Sequence, residues 1–307
     1  MFYYYIKLFL SSIWKNRFFY AINLIGFFAG FLLLTIIFTF VFQELSFDRF
    51  HKNHPNIYRI HSGGYGVTPL CFGEQLEYQL PEINGIVQLS SKNLILDFNS
   101  NEIEVEKTYY TDPEIFRIFS FKLIMGNAAN VLDAPFSIVI NQSVSNQLFG
   151  NCPSFGETIS DKDGTVYTIT GIMADIPYNS HIKSNAFISI ETLRQTKGEE
   201  AFNCGSWSNL TYISLTENSN SDETEVKLNS LLEDSRMGTS DGKIPLQLQS
   251  LKKIYFDYDN NKFDGSKHGN LQIVVLYFAI SLLILFIVIS ALRRRCPRPA
   301  SYPTRLP

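Results

Sequence analysis

Two stretches of the chain, residues 18–43 (FFYAINLIGFFAGFLLLTIIFTFVFQ) and 269–292, carry no charged side chain. At 1.5 Å per residue, about 20 apolar residues cross the hydrocarbon core as a helix, so both stretches are long enough to span a bilayer. Lys7, Lys15 and Arg17 precede the first and Glu44 and Asp48 follow it, while Arg293, Arg294 and Arg295 follow the second. Basic flanks stay on the cytoplasmic side. Both termini are therefore expected inside and residues 44–268 outside. The first apolar run exceeds the roughly 7–15 residues of a signal h-region and no small-x-small cleavage site follows it, so it reads as an uncleaved anchor. Within it Gly26, Ala29 and Gly30 form a GxxxG-type step that would let another helix approach closely. Residues 1–17 place Tyr3, Ile6, Leu10, Ile13 and Trp14 at helical spacing, the pattern of an interfacial helix.

Between the spans the pattern changes to short strands mixed with helices. Strands are expected at 56–61, 94–98, 103–110, 137–140, 165–173, 185–190 and 210–215, with a last pair in IPLQLQSLKKIYF. Helices are expected at 69–80, after Asp112 and Pro113, from Asn141 to a stop at Phe149 and Gly150, and at 221–233. Asp112 and Asn141 are suited to capping the orphan N–H groups of a first turn. Gly126, Gly150, Gly156 and Gly171 suit turns and close approaches, and Asp175 with 177–180 suits a turn. The fold class is α+β, without the regular βαβ rhythm of a doubly wound sheet. Five segments result: an interfacial helix (1–17), a span (18–43), a folded domain (44–268), a second span (269–292) and a Pro/Arg-rich tail (293–307).

Composition adds exclusions. A net charge of -3 gives no basic surface for nucleic acid. Cys71, Cys152, Cys204 and Cys296 show no CxxC spacing; three fall outside and one inside, which permits at most one intramolecular disulfide with a thiol left over, so a disulfide framework is not expected and buried free thiols are. No phosphate loop, dinucleotide fingerprint, HExxH or nucleophile elbow is present, so the chain is not expected to be an enzyme or to bind a cofactor or metal. Asp48, His51 and His54 are the best-spaced metal candidates, but Pro55 interrupts their helix and a solvated surface accounts for them. Cys204 could pair with His61, His181 or His268 only if the fold brought them together. Glu44 and Asp48 read first as a negative flank just outside the membrane.

Several segments in order resemble the permease subunits of MacB-like, FtsX-superfamily ABC transporters of the Bacteroidetes type. They are INLIGFFAG, ELSFDRFH, IYRI, YTDPEIFRIFSFKLIMGN, SIVINQSVSNQLFG, GETI, YTITGIMADIPYNSH and LQLQSLKKIYF. Their residues, Glu44, Asp48, Tyr58, Arg59, Asp112, Phe119, Gly126, Asn141, Phe149, Gly150, Gly156, Gly171, Asp175, Pro177 and Ser180, are read as markers of that fold and not as a catalytic site. The resemblance implies a MacB-like periplasmic core domain between the first two membrane helices of an inner-membrane permease. It further implies a dimer with a second permease copy, a cytoplasmic ATPase in trans that binds the ATP, and a periplasmic adaptor. Members of that family continue into a coupling segment and two more helices, whereas here the chain reads ALRRRCPRPASYPTRLP and stops, the pattern expected of a truncated or frameshifted product. The alternative is a two-span sensor or scaffold with an extracytoplasmic domain. A polysaccharide chain-length regulator fits less well, since its second span is Pro-rich and 271–292 contains no proline.

Overall fold

The computed structural model describes Trp14 and residues 17–76, 79–98, 101–150, 152–234, 245–257, 259, 262, 264–266 and 268–293. The expected interfacial helix, apart from Trp14 and Arg17, and the tail beyond Arg293 lie outside the described residues. Two compact units form, one of residues 1–45 with 270–307 and one of Ser46–Gly269.

The first unit contains α1 (Arg17–Leu45) and, after a long excursion of the chain, α8 (Leu271–Arg293). Within α1, Leu24–Leu45 is long and apolar enough to cross a membrane. Thr35 and Thr39 return their hydroxyls to the carbonyls of Phe31 and Thr35, which satisfies both donors without water. Phe40 meets Tyr277 of α8 edge to face at 5.4 Å. Gly26 has no atom within 4 Å of where a Cβ would stand, so that glycine faces open space.

The second unit is built on one mixed sheet. Its strands are β1 (Ile57–Ser62), β2 (Ile83–Phe98), β3 (Asn101–Thr111), β4 (Leu123–Met125), β5 (Ser137–Asn141), β6 (Thr158–Asp161), β7 (Val166–Met173), β8 (Ala186–Ser189), β9 (Asn209–Leu215) and β10 (Leu246–Ser250). Their order is β10-β1-β9-β2-β3-β8-β5-β7-β4, with β6 pairing β2 and β7. The β3–β8 and β5–β7 pairs are parallel and the others antiparallel. Side chains alternate across such a sheet. Val87, Val139, Phe187 and Tyr212 therefore share one core with Phe116 and Ile118 of α3 (Glu114–Ile118). Their neighbours on the other face divide between two cores. Ile138, Ile140 and Ile188 pack with Val144 and Leu148 of α4 (Gln142–Phe149) and Leu193 of α5 (Ile190–Lys197). Ile60, Ile86 and Ile213 pack with Phe72 of α2 (Cys71–Leu76) and Leu228 of α6 (Ser221–Asp234).

Local chemistry accounts for several boundaries. Asn141 accepts the Val144 N–H at 2.8 Å, and Gly150 ends α4 at φ 60°. Asp112 accepts the Glu114 N–H at 2.9 Å, with Pro113 one position earlier than expected, just outside the helix. Gly126 lies at φ 102°, and a Cβ there would stand 2.7 Å from the Thr170 carbonyl, so both backbone and space require glycine.

Two expectations are corrected here. In LQLQSLKKIYF only β10 is a strand; after Ser250 the chain turns into α7 (Leu251–Ile254), because Leu251 and Ile254 fall on one helical side and both are buried. In place of buried free thiols, Cys71, at the start of α2, is disulfide-bonded to Cys204, just before β9, and Cys152 is free and exposed, the one bridge with a thiol left over that the count permits. A crosslink across 133 positions restricts the unfolded chain strongly. Replacing Cys71 and Cys204 together by serine should lower the stability of the Ser46–Gly269 unit by about 2–5 kcal/mol. Thermal unfolding of the full chain in detergent measures this; reductant should bring the unaltered protein to the same midpoint, and an unchanged midpoint would contradict the crosslink.

Candidate functional site

Just beyond Leu45 the chain enters the sheet unit through Ser46, Phe47 and Asp48. Asp48 has φ 57°, an uncommon conformation for a residue with a Cβ, and is held there from all sides. Its N–H donates to the Asn179 carbonyl at 2.8 Å, and the Asn179 side-chain amide donates to the Ser46 carbonyl at 3.1 Å. The turn that presents Asn179 is closed by the Ser180 N–H on the Pro177 carbonyl. The two quoted segments ELSFDRFH and DIPYNSH, more than a hundred residues apart, thus meet. This corrects the reading of Asp48 as a solvated membrane flank: it is 2% exposed. Glu44 is half-buried in the last turn of α1.

The Asp48 carboxylate accepts the His181 N–H at 3.0 Å and stands 2.9 Å from His181 Nδ1, off the ideal line for a hydrogen bond. On the far side of the ring, His181 Nε2 meets the Tyr212 hydroxyl at 2.8 Å. A proton on Nδ1, facing the carboxylate, leaves Nε2 to accept from tyrosine. Burial pushes the Asp48 carboxyl up, but the His181 contacts outweigh it and hold the group below the usual range. His51 accepts the Ser120 N–H on Nδ1 at 3.0 Å, so its proton sits on Nε2, 4.0 Å from Asp48. Burial drives its pKa down to about 4. Phe119 closes this pocket, with ring centroids 5.0 Å from His51 and 5.2 Å from Tyr212.

Tyr212 leads into a second ionic group. Strand register sets Arg59 opposite both Tyr212 on β9 and Gln249 on β10, so the three side chains form one cross-strand row. Arg59 is completely buried. It stands opposite Tyr212 across the strands, donates to Gln249 Oε1 at 3.3 Å, and pairs with Asp264 at 2.7 Å. Asp264 in turn faces His268 Nε2 at 3.1 Å, and His268 Nδ1 faces the Ile254 carbonyl at 3.2 Å. Both imidazole nitrogens see acceptors, which favours the doubly protonated ring; the Asp264 hydrogen bond raises the His268 pKa. Burial opposes ionisation of Asp264, yet His268 and Arg59 bring it to about 2.

The row therefore begins three residues after Leu45 and ends three before Leu271, joining the segments where the chain enters and leaves the sheet unit. Tyr255 reinforces this by stacking on Phe47 while its carbonyl accepts the Gly269 N–H at 2.8 Å. The row is closed to solvent, so what it does is hold these segments in register with β1, β9 and β10.

Of the other marked residues, Tyr58 is half-buried on the opposite side of β1, and Asp175 accepts from Ser143 N–H and Oγ beside α4. Gly156 lies in a turn at φ 85°, Gly171 passes close to Val131, and Phe149 packs with Phe98. His54 turns to the His51 carbonyl and does not join Asp48 and His51, and among the described residues no cluster is arranged to hold a metal. The disulfide removes Cys204 from any Cys/His pair. Sequence reading missed His181, Tyr212, Gln249, Asp264 and His268 as partners of the row; the quoted segments ending in DIPYNSH and starting at LQLQ, which contain His181 and Gln249, offered the signal.

Residues 20–231 match the family model described as the MacB-like periplasmic core domain. Among solved structures, a domain described as belonging to a permease protein from Porphyromonas gingivalis is 16% identical, with a TM-score of 0.56 over 65% of this chain and 90% of that one. The periplasmic region of MacB from Actinobacillus actinomycetemcomitans is also 16% identical, with a TM-score of 0.50 over 66% of this chain and 91% of that one. No curated protein matches the chain.

Removing one member of a buried ion pair leaves the other uncompensated, so Arg59→Met should cost about 3–5 kcal/mol in an unfolding titration, far more than a surface substitution. His51 sets a pH dependence. Its folded pKa lies below 6.5, so between 6.5 and about 4 the unfolded chain binds more protons and stability falls as pH falls through that window. His268 acts in the opposite sense, its contribution being lost as pH rises through its raised pKa. Melting temperatures across this range should flatten in His51→Asn, which keeps an acceptor for the Ser120 N–H; an unchanged slope would contradict the assignment.

Proposed function

Since this chain belongs to the MacB-like periplasmic core domain family, we propose that it is a permease subunit of a MacB-like ABC transporter. Its sheet unit is the periplasmic domain, and α1 and α8 are the first two membrane helices. A separate cytoplasmic ATPase binds and hydrolyses the ATP, and a second permease copy completes the dimer. The chain contributes movement and not catalysis: shifts of the helices on ATP binding pass to the sheet unit, which acts on a substrate or adaptor for export or release.

The observation that carries this reading is the buried row, which gathers the entry and exit segments onto the same strands. A unit that passes on force needs both points of entry held to a rigid body, because a packed core does not deform continuously. The Cys71–Cys204 disulfide supports an oxidising, extracytoplasmic setting for this unit.

Two measurements test it. A membrane-impermeant maleimide should label the exposed Cys152 in intact spheroplasts; labelling only after permeabilisation would overturn the orientation. Reconstituted with an ABC ATPase of the MacB-like class, the full chain should raise ATP hydrolysis above that of the ATPase alone. Arg59→Met should weaken that stimulation at temperatures where it remains folded. Absence of any association with the ATPase would favour the membrane-anchored sensor or scaffold.

A further inference from the structure

Where the chain passes from α1 into the sheet unit, three segments of that unit are tied together by hydrogen bonds. The Asn179 side-chain amide donates to both the carbonyl and the hydroxyl of Ser46 at 3.1 Å, and the Asp48 N–H returns to the Asn179 carbonyl. The Lys52 N–H donates to Ser120 Oγ at 2.9 Å, and the Ala174 N–H donates to the Lys122 carbonyl at 2.8 Å. Residues 46–52, 120–122 and 174–183 are therefore neighbours, and all of them are described. They expose one aromatic ring and three cations. Tyr178 is 60% exposed although its turn is fixed, because Lys183 Nζ donates to the Pro177 and Tyr178 carbonyls at 2.9 and 2.6 Å. Arg49, Lys52 and Lys122 are exposed as well. Asp175 is the exposed carboxylate of these segments, and both its oxygens accept from Ser143.

We propose that this surface rests on the outer leaflet of the membrane that α1 crosses, with the Tyr178 ring at headgroup depth and Arg49, Lys52 and Lys122 on the phosphates of anionic phospholipid. Distance supports this. Ser46 follows Leu45, the last residue of the membrane-crossing stretch, by one Cα step of about 3.8 Å. The headgroup layer on each side of the hydrocarbon core is about 5–7 Å thick, so the turn that grips Ser46 starts within it. Tyrosine favours that layer, where its ring leaves water and its hydroxyl stays wet. Basic side chains are usually kept from the outer end of a membrane helix. Three of them around this one are accounted for by an anionic partner, to which each Lys or Arg near the surface adds attraction. The proposal rests on the reading of α1 as a membrane helix and not on any ATPase.

Tryptophan fluorescence of the full chain in lipid nanodiscs tests it. Tyr178→Trp adds a reporter at an exposed position, read as the difference from the unaltered chain with its Trp14 and Trp207. That difference emission should be quenched by phospholipid brominated near the top of its acyl chains. At low salt, brominated phosphatidylglycerol should be enriched at the reporter over brominated phosphatidylcholine by on the order of fivefold, the worth of one such cation at an anionic surface. Replacing Arg49, Lys52 and Lys122 together by glutamine should bring the two lipids level. Phe38→Trp, inside α1 and 59% exposed, is the reference for a side chain in the bilayer. Quenching of Phe38→Trp without quenching of Tyr178→Trp would overturn the proposal and leave the membrane helix standing. Equal quenching by the two lipids before the glutamine replacements would overturn it too. If neither reporter is quenched, α1 is not in the bilayer, and the membrane reading falls with the proposal.

Discussion

An arginine taken wholly out of water dictates much of how the sheet unit is put together. Burying a guanidinium costs several kcal/mol unless an opposite charge and further acceptors surround it. Arg59 sits at the second strand from the β10 edge, paired with Asp264 from the segment before α8 and Gln249 from β10, and it stands opposite Tyr212 of β9. Each partner has its own next contact, so the requirement spreads to His268 in one direction and to His181 and Asp48 in the other. The net worth of such a chain to stability is modest, because desolvation offsets most of the attraction. Its value is positional: it admits one arrangement of the segments it joins.

Four of the segments that carry the family resemblance meet at or beside this row. ELSFDRFH supplies Asp48 and His51, IYRI supplies Arg59, DIPYNSH supplies Asn179 and His181, and the segment around LQLQSLKKIYF supplies Gln249, Ile254 and Tyr255. Read singly, each fragment looks like a turn or a flank. Brought together by strand register, they form the wall and floor of one polar core beside Phe119.

Features decided by neighbours in sequence were legible beforehand. The Asn141 cap, the Gly150 stop, most short strands and the α6 helix all follow from residues within one or two turns of each other. Features decided by distant partners were not. Arg59 and Asp264 are 205 positions apart and Cys71 and Cys204 are 133 apart, so neither pairing leaves a local trace. Asp48 was misread because a carboxylate after an apolar run has an adequate local explanation; its burial depends on a turn 131 to 133 residues later. The first half of β2 was missed because Gln88, Ser90 and Ser91 interrupt the apolar pattern, and Gln88 is satisfied only by Thr211 and Pro69 from other parts of the chain.

The central claim is that the row from Asp48 to His268 behaves as one unit. Hydrogen exchange of the full chain in micelles, followed in peptides covering residues 46–51 and 264–270, tests it most directly through Tyr212→Phe, which removes only the hydroxyl that meets His181 Nε2 on the strand position opposite Arg59. Faster exchange in both peptides is the result this account predicts. A change confined to β9, with residues 46–51 and 264–270 exchanging as before, would show that the two ionic groups are independent and would contradict it.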